Sequence, residues 1–161
     1  MNQLKRCAAG VCLSTLAAFA VPAQQVQETA VGSALPATLR ALLVEEMLAV
    51  LGASQDILDA LVRGQDGRVA DNGQSIHDSF IMEQRMTEAD REALEATLPA
   101  AFLERDRAFH ELSAGLAEAA RAGDAQRQRE LFSDMLDACV DCHAAHATDR
   151  FPELARADAS R

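Results

Sequence analysis

The sequence predicts an all-helical protein. No stretch alternates apolar and polar residues as a strand does, whereas apolar residues recur at spacings near 3.6 through most of the chain. The composition agrees, because the 161 residues include no Trp or Tyr and are rich in Ala, Leu, Glu and Arg, most of them strong helix formers. Four helical segments follow from these patterns.

The first segment is predicted to begin at Pro36, which suits the first turn of a helix, and to end before Gly64. At 1.5 Å per residue it is about 40 Å long, enough to run the length of a helical domain. Its predicted buried stripe consists of Leu39, Leu42, Leu43, Met47, Val50, Leu51, Ile57, Leu58 and Leu61.

The second and third segments differ in how clearly they begin. Turn-like sequences at 66–67 and 71–73 lead us to expect the second helix to start between Arg68 and Gln74. Its buried side is assigned to Ile76, Phe80 and Ile81. The third helix has a clearer start, because Thr87 followed by Asp90 resembles a capping box. Pro99 is predicted to kink or restart this helix, which continues up to Gly123.

The fourth segment begins after Gly123-Asp124, where Gly suits the end of one helix and Asp the N-cap of the next. Such a short connection makes the last two helices antiparallel neighbours. Side chains at alternating spacings of four and three form the predicted inward face of the last helix. They are Phe132, Leu136, Cys139, His143 and His146.

One stretch of the last helix contains a cofactor-attachment motif. Cys139-Val140-Asp141-Cys142-His143 has the C-x-x-C-H pattern by which a c-type haem is attached. Each sulfur can form a thioether with one haem vinyl group, and the histidine can ligate the iron. On a helix all three side chains project from one side. We therefore expect Cys139 and Cys142 to bind one haem c covalently and His143 to be an axial iron ligand.

Two other interpretations of the motif are open. A structural zinc site needs four ligands, usually from two separated pairs, and only His146 is a nearby fourth candidate. A thioredoxin-like redox pair expects alternating strands and helices, which this sequence does not show.

The N-terminus has the pattern of a secretory signal peptide. Lys5 and Arg6 precede an apolar run from Cys7 to Val21, and small residues then lead to a cleavage site before Gln24. The run is shorter than the roughly 20 residues that span a bilayer, so no stable membrane anchor is expected. The predicted organisation is a signal peptide at 1–23, a flexible segment at 24–35, a cytochrome domain at 36–150 and a C-terminal extension at 151–161. Export to the periplasm follows.

Removal of the signal peptide changes the cysteine count and the charge. Two of the four cysteines leave with it, so the mature chain has no disulfide framework beyond the motif pair. The net charge of −10 becomes −12, because the peptide holds two basic residues and no acidic one. Such acidity excludes a typical nucleic-acid-binding protein. It is compatible with basic redox partner proteins, and equally with an ordinary solvated surface.

A C-terminal haem motif on a helical protein resembles the cytochrome c-prime family, the class II cytochromes c. The resemblance covers about Leu39 to His146. It is strongest from the Ala-Gly-Asp sequence at 122–124 through Leu131-Phe132 to the motif, and the segment 46–52 is similar to the family helix that crosses the distal face of the haem.

The resemblance implies an antiparallel four-helix bundle with His143 as proximal ligand. In the low-spin branch a methionine of the first helix binds the iron and the protein carries electrons; Met47 matches that position. In the other branch the iron is five-coordinate and binds nitric oxide. Met47 could also be a core residue, and His77 is a rival ligand. Family members are often dimers, so a homodimer is possible.

The sequence departs from the family after the motif. Where an aromatic and then a basic residue are usual, it has His146 and Ala147. His146 is expected either to support the haem through a hydrogen bond or to face solvent. No general base or nucleophile set is visible, so the chain is predicted to be a one-electron carrier rather than an enzyme, with nitric oxide binding as the alternative.

Overall fold

The computed structural model describes residues 30–154, and this part of the chain is helical with no β-strand. The predicted all-α class is therefore confirmed. The signal peptide at 1–23, residues 24–29 of the next segment, and residues 155–161 of the C-terminal extension lie outside the described residues. The helices are α1 Val31–Ala34, α2 Ala37–Arg63, α3 Asp66–His77, α4 Met82–Arg85, α5 Glu88–Thr97, α6 Ala100–Arg121 and α7 Ala125–His146.

The ends of α2 agree with the prediction for the first long helix. Pro36 is its N-cap residue, and Gly64 ends it in the left-handed conformation, with φ of +65°. The N–H of Gly64 donates to the carbonyl oxygens of Ala60 and Leu61, which closes the last turn. A side chain at position 64 would be strained in this conformation, so glycine is the natural terminator.

The predicted start of the second helix is wrong. Helix α3 begins at Asp66 and continues through both turn-like sequences. Packing explains the difference, because Val69, Ala70, Gly73 and Ile76 are buried along one side of α3. The contacts of this side with α6 outweigh the weak helix propensity of the Gly, Asp and Asn residues.

The next two boundaries agree with the sequence. Thr87 and Asp90 form a capping box: the Asp90 N–H donates to Thr87 Oγ1 at 3.2 Å, and the Thr87 N–H donates to Asp90 Oδ2 at 3.0 Å. Helix α5 ends before Leu98, and Pro99 restarts the chain as α6. Gly123 then has φ of +70°, and the Asp124 side chain caps α7 by accepting from the Arg127 N–H at 2.9 Å.

The core has a larger and a smaller part. Helices α2, α3, α6 and α7 all contribute buried side chains to the larger one, including Ile57, Ile76, Leu116 and Met135. Full burial of each such side chain contributes about 1.5–3 kcal/mol. Helix α6 packs extensively on both α3 and α7, whereas α2 packs mainly on α3 and touches α7 only slightly.

The smaller part of the core lies near the start of α2. Val31 and Leu35, from the segment predicted to be flexible, are buried there with Leu39, Leu42 and Leu98. Met82 and Met86 pack against this cluster. Within residues 30–154, no helix combines the length and the apolar character that a membrane span requires.

Candidate functional site

The C-x-x-C-H motif lies in the last two turns of α7, one of the helices that build the larger core. Cys139, Cys142 and His143 are all half-buried and fall within about 100° of the helix circumference. The two thiols are free rather than joined in a disulfide. The helix therefore presents two sulfurs and one imidazole side by side at its partly covered edge.

Burial sets the protonation of these groups. It raises the pKa of both the Cys139 and the Cys142 thiols and lowers the pKa of the His143 imidazole. At neutral pH the sulfurs are thus thiols, and the imidazole is neutral, as an iron ligand must be. A smaller, opposing effect on the pKa of Cys142 comes from the positive charge of Arg105 on α6. That guanidinium therefore lies on the same side of the molecule as the motif.

Apolar side chains beside the motif are exposed. Leu136 and Val140 are 49% and 47% exposed, although Leu136 was predicted to face inward. Phe132 and His146, which were also predicted to face inward, are buried, and Leu131 and Met135 are buried with them. Leu136 lies one turn before Val140, and the two form an uncovered apolar edge alongside the cysteines.

Helix α2 also exposes apolar residues, and the predicted buried stripe is wrong in part. Met47, Leu51 and Leu58, which were assigned to the core, are exposed on the side away from the buried face. The exposed stripe as a whole contains Val44, Met47, Leu48, Leu51, Leu58 and Val62. Apolar residues thus surround most of α2, a pattern typical of a helix covered on more than one side.

Met47 is 41% exposed, so it does not fill a gap in the core. The residue before it, Glu46, is buried and accepts hydrogen bonds from the backbone N–H groups of Phe80, Ile81 and Met82, at 2.9, 2.5 and 3.0 Å. The carboxylate fixes this point of α2 against the segment between α3 and α4. Because Met47 follows directly, its backbone position is fixed as well.

His77, the rival candidate for the distal ligand, forms a structural hydrogen bond between two helices. It is half-buried, and its Nδ1 donates to the His110 carbonyl oxygen at 3.1 Å. His110 returns the bond, from its own Nδ1 to the His77 carbonyl oxygen at 3.0 Å. This pair of bonds joins α3 to α6.

His146 does not face solvent: it is only 3% exposed. Arg105 Nη1 lies 2.7 Å from its Nε2. A guanidinium can only donate, so Nε2 is the acceptor and the neutral ring carries its proton on Nδ1. The Phe102 ring meets the imidazole edge to face, with centroids 5.5 Å apart. Helix α6 thus places a basic side chain, Arg105, beside His146 near the motif.

His143 is in contact with the C-terminal extension. The Phe151 ring stacks on its imidazole, with centroids 4.3 Å apart and planes 10° from parallel. No role was assigned to the extension from the sequence, and this contact was not predicted. The contact of Arg105 with His146 was not predicted either. Arg105 follows Phe102 by three residues, so the two lie on the same side of α6, and this spacing could have indicated it.

The donor set suits a porphyrin better than a bare ion. In the described part of the chain, no three His, Cys, Asp or Glu side chains gather as a metal-ion site. A haem supplies four nitrogens itself and needs only an axial ligand, attachment points and apolar surroundings. In this structure His143, the two half-buried thiols and the uncovered Leu136 and Val140 are the groups that would serve those needs.

Comparison of the chain with protein-family models, with curated proteins and with solved structures found no match in any of the three.

Proposed function

We propose that this protein is an exported c-type cytochrome that carries one electron on a covalently attached haem. The observation that carries the proposal is the motif in its setting: Cys139, Cys142 and His143 are half-buried together on α7, next to exposed apolar side chains. The four helices α2, α3, α6 and α7, which share one core, support the narrower proposal of an antiparallel four-helix bundle of the cytochrome c-prime type.

Each residue has a distinct role in this proposal. Cys139 and Cys142 hold the porphyrin through thioether bonds, and His143 binds the iron with its neutral imidazole. The haem, when bound, supplies the reversible one-electron change of iron between its ferrous and ferric states. The apolar side chains around it exclude water, which would otherwise stabilise the more highly charged oxidised form.

Met47 is the proposed sixth ligand. Its exposure supports this role, because a methionine sealed in the core would have no sulfur to offer. The bonds made by Glu46 support it further, since they hold the adjacent backbone in place without using the Met47 side chain. A thioether opposite His143 would give six-coordinate, low-spin iron suited to electron transfer.

The visible spectrum of the purified holoprotein tests this ligation. We expect a low-spin ferric spectrum with a weak sulfur-to-iron band near the red end. The band is expected to disappear in Met47→Ala and to remain in Met86→Ala, which removes a methionine of the smaller core. A high-spin spectrum that changes on addition of nitric oxide, and that Met47→Ala leaves unaltered, would instead identify a gas-binding protein with five-coordinate iron.

A further inference from the structure

The C-terminal extension contacts the motif through Phe151, whose ring stacks on the His143 imidazole. The two rings are within 10° of parallel and their centroids are 4.3 Å apart, which is a stacked arrangement. Phe151 is nevertheless 42% exposed. A side chain that served only to anchor the extension would be expected to bury both of its faces. Here one face covers the imidazole while much of the side chain stays exposed.

The backbone holds Phe151 in this position. After α7 ends, the carbonyl oxygen of Ala147 accepts from the N–H groups of both Arg150 and Phe151, each at 2.9 Å. These bonds turn the chain back over the end of α7. The Leu154 N–H then donates to the Phe151 carbonyl oxygen at 3.1 Å, and Pro152 between them has a fixed φ. Local hydrogen bonds thus position the ring before any contact with His143 is made.

A stacked ring restricts the motion of the imidazole. Rotation of the His143 ring about its Cβ–Cγ bond would drive the edge of the imidazole into the face of Phe151. The stack therefore selects one orientation of the imidazole plane. It also removes water from one face of a ring that is otherwise only half-buried.

We propose that Phe151 is a positioning residue for the iron ligand: it fixes the plane of the His143 imidazole and shields that ring from water. This inference rests on the proposed function, because it concerns the orientation of an iron ligand. It assigns to the C-terminal extension a part in the haem site, without any contact between Phe151 and the iron.

The test uses the full-length holoprotein and the paramagnetic proton shifts of the four haem methyl groups in the ferric state. The spread of these shifts depends on the orientation of the axial imidazole plane, and a residue that merely stabilises the fold does not change it. Phe151→Ala removes the stack, Phe151→Leu keeps bulk without a flat face, and Phe151→Tyr keeps the ring. Arg150→Ala is the matched control, because it alters an exposed neighbour in the same turn.

We expect the spread of the methyl shifts to change in the Ala and Leu variants, and to stay as in the wild type in Phe151→Tyr and Arg150→Ala. An unchanged spread in Phe151→Leu would overturn the inference, as would an equal change in Arg150→Ala. If Phe151→Ala folds poorly, the comparison of Phe151→Leu with Phe151→Tyr is sufficient to test the inference. Failure of the proposed function is separate, since a chain without attached haem gives no such resonances in any variant.

Discussion

Replacement of Gly73 by Ala tests the packing of α3 on α6, which supports the larger core. A Cβ atom at this position would lie 3.0 Å from the Ser113 carbonyl oxygen, 3.2 Å from the Ala117 nitrogen and 3.3 Å from the Ala117 Cβ. Two of these atoms belong to the α6 backbone, so relief requires a helix to move. Overpacking of this kind costs about 1–3 kcal/mol.

The helix propensity of Ala acts in the opposite direction. Ala is favoured over Gly inside a helix by about 1 kcal/mol. The net expectation for Gly73→Ala is a fall of up to about 2 kcal/mol in the free energy of unfolding. Gly67→Ala, in the same helix, is the control, because no atom lies within 4 Å of its Cβ position. Because Gly67 is the second residue of α3, that variant should gain at most about 1 kcal/mol.

Denaturant unfolding followed by helical circular dichroism measures both variants. We expect the midpoint to fall for Gly73→Ala and to rise for Gly67→Ala, with the same slope as the wild type in each case. Equal stabilisation of the two variants would refute the close approach of α3 to α6. A changed slope for Gly73→Ala alone would mean that the denatured state or the cooperativity had changed instead.

Three further predictions concern the surroundings of the site. Glu46→Gln should lower the free energy of unfolding by on the order of 2–3 kcal/mol, measured by denaturant unfolding, because a neutral amide cannot accept from all three backbone donors. Hydrogen bonds from Thr87 lower the pKa of Asp90 below its ordinary 3.8. The ionised Asp90 carboxylate therefore stabilises the fold fully above pH 3.8, and this stabilisation is lost as the pH falls through the folded-state pKa. The melting temperature of Asp90→Asn should therefore fall less than that of the wild type on acidification, and an equal fall would exclude this contribution. In the proposed haem protein, Arg105→Gln should lower the midpoint potential in a redox titration, because the positive charge of Arg105 beside the motif disfavours ferric iron. Arg107→Gln, two residues further on and on the opposite side of α6, should have a smaller effect. Equal shifts in the two arginine variants would contradict a specific place for Arg105.

Much of the fold could be predicted because helix ends depend on local chemistry. Gly64, the Thr87–Asp90 pair and Pro99 act through bonds and dihedral angles within a few residues, and each ends or begins a helix where the sequence placed it. The start of α3 could not be predicted in this way. It depends on the approach of Gly73 to α6, a contact between residues distant in the chain.

The faces of α2 were harder to predict for a different reason. Its apolar residues surround most of the helix, so periodicity alone could not decide which of them face the core. Met47 and Leu51 were assigned inward and are exposed, whereas the acidic Glu46 is buried because three backbone donors satisfy its carboxylate.

The motif could be predicted because it consists of residues close together in the sequence. The residues that contact it in the structure could not be predicted. Arg105 reaches His146 from another helix, and Phe151 reaches His143 only because the chain turns back after α7. The first contact depends on tertiary structure. The second depends on a turn that contains no glycine and so could not be recognised in the sequence.

The most direct test of the central claim is haem staining of the mature protein after denaturing electrophoresis, with material from cells competent in cytochrome assembly. We predict that the stain migrates with the wild-type chain and is lost from the Cys139→Ser, Cys142→Ser double variant. An intact, helical wild-type protein that does not stain, and in which both thiols can be alkylated, would contradict the claim.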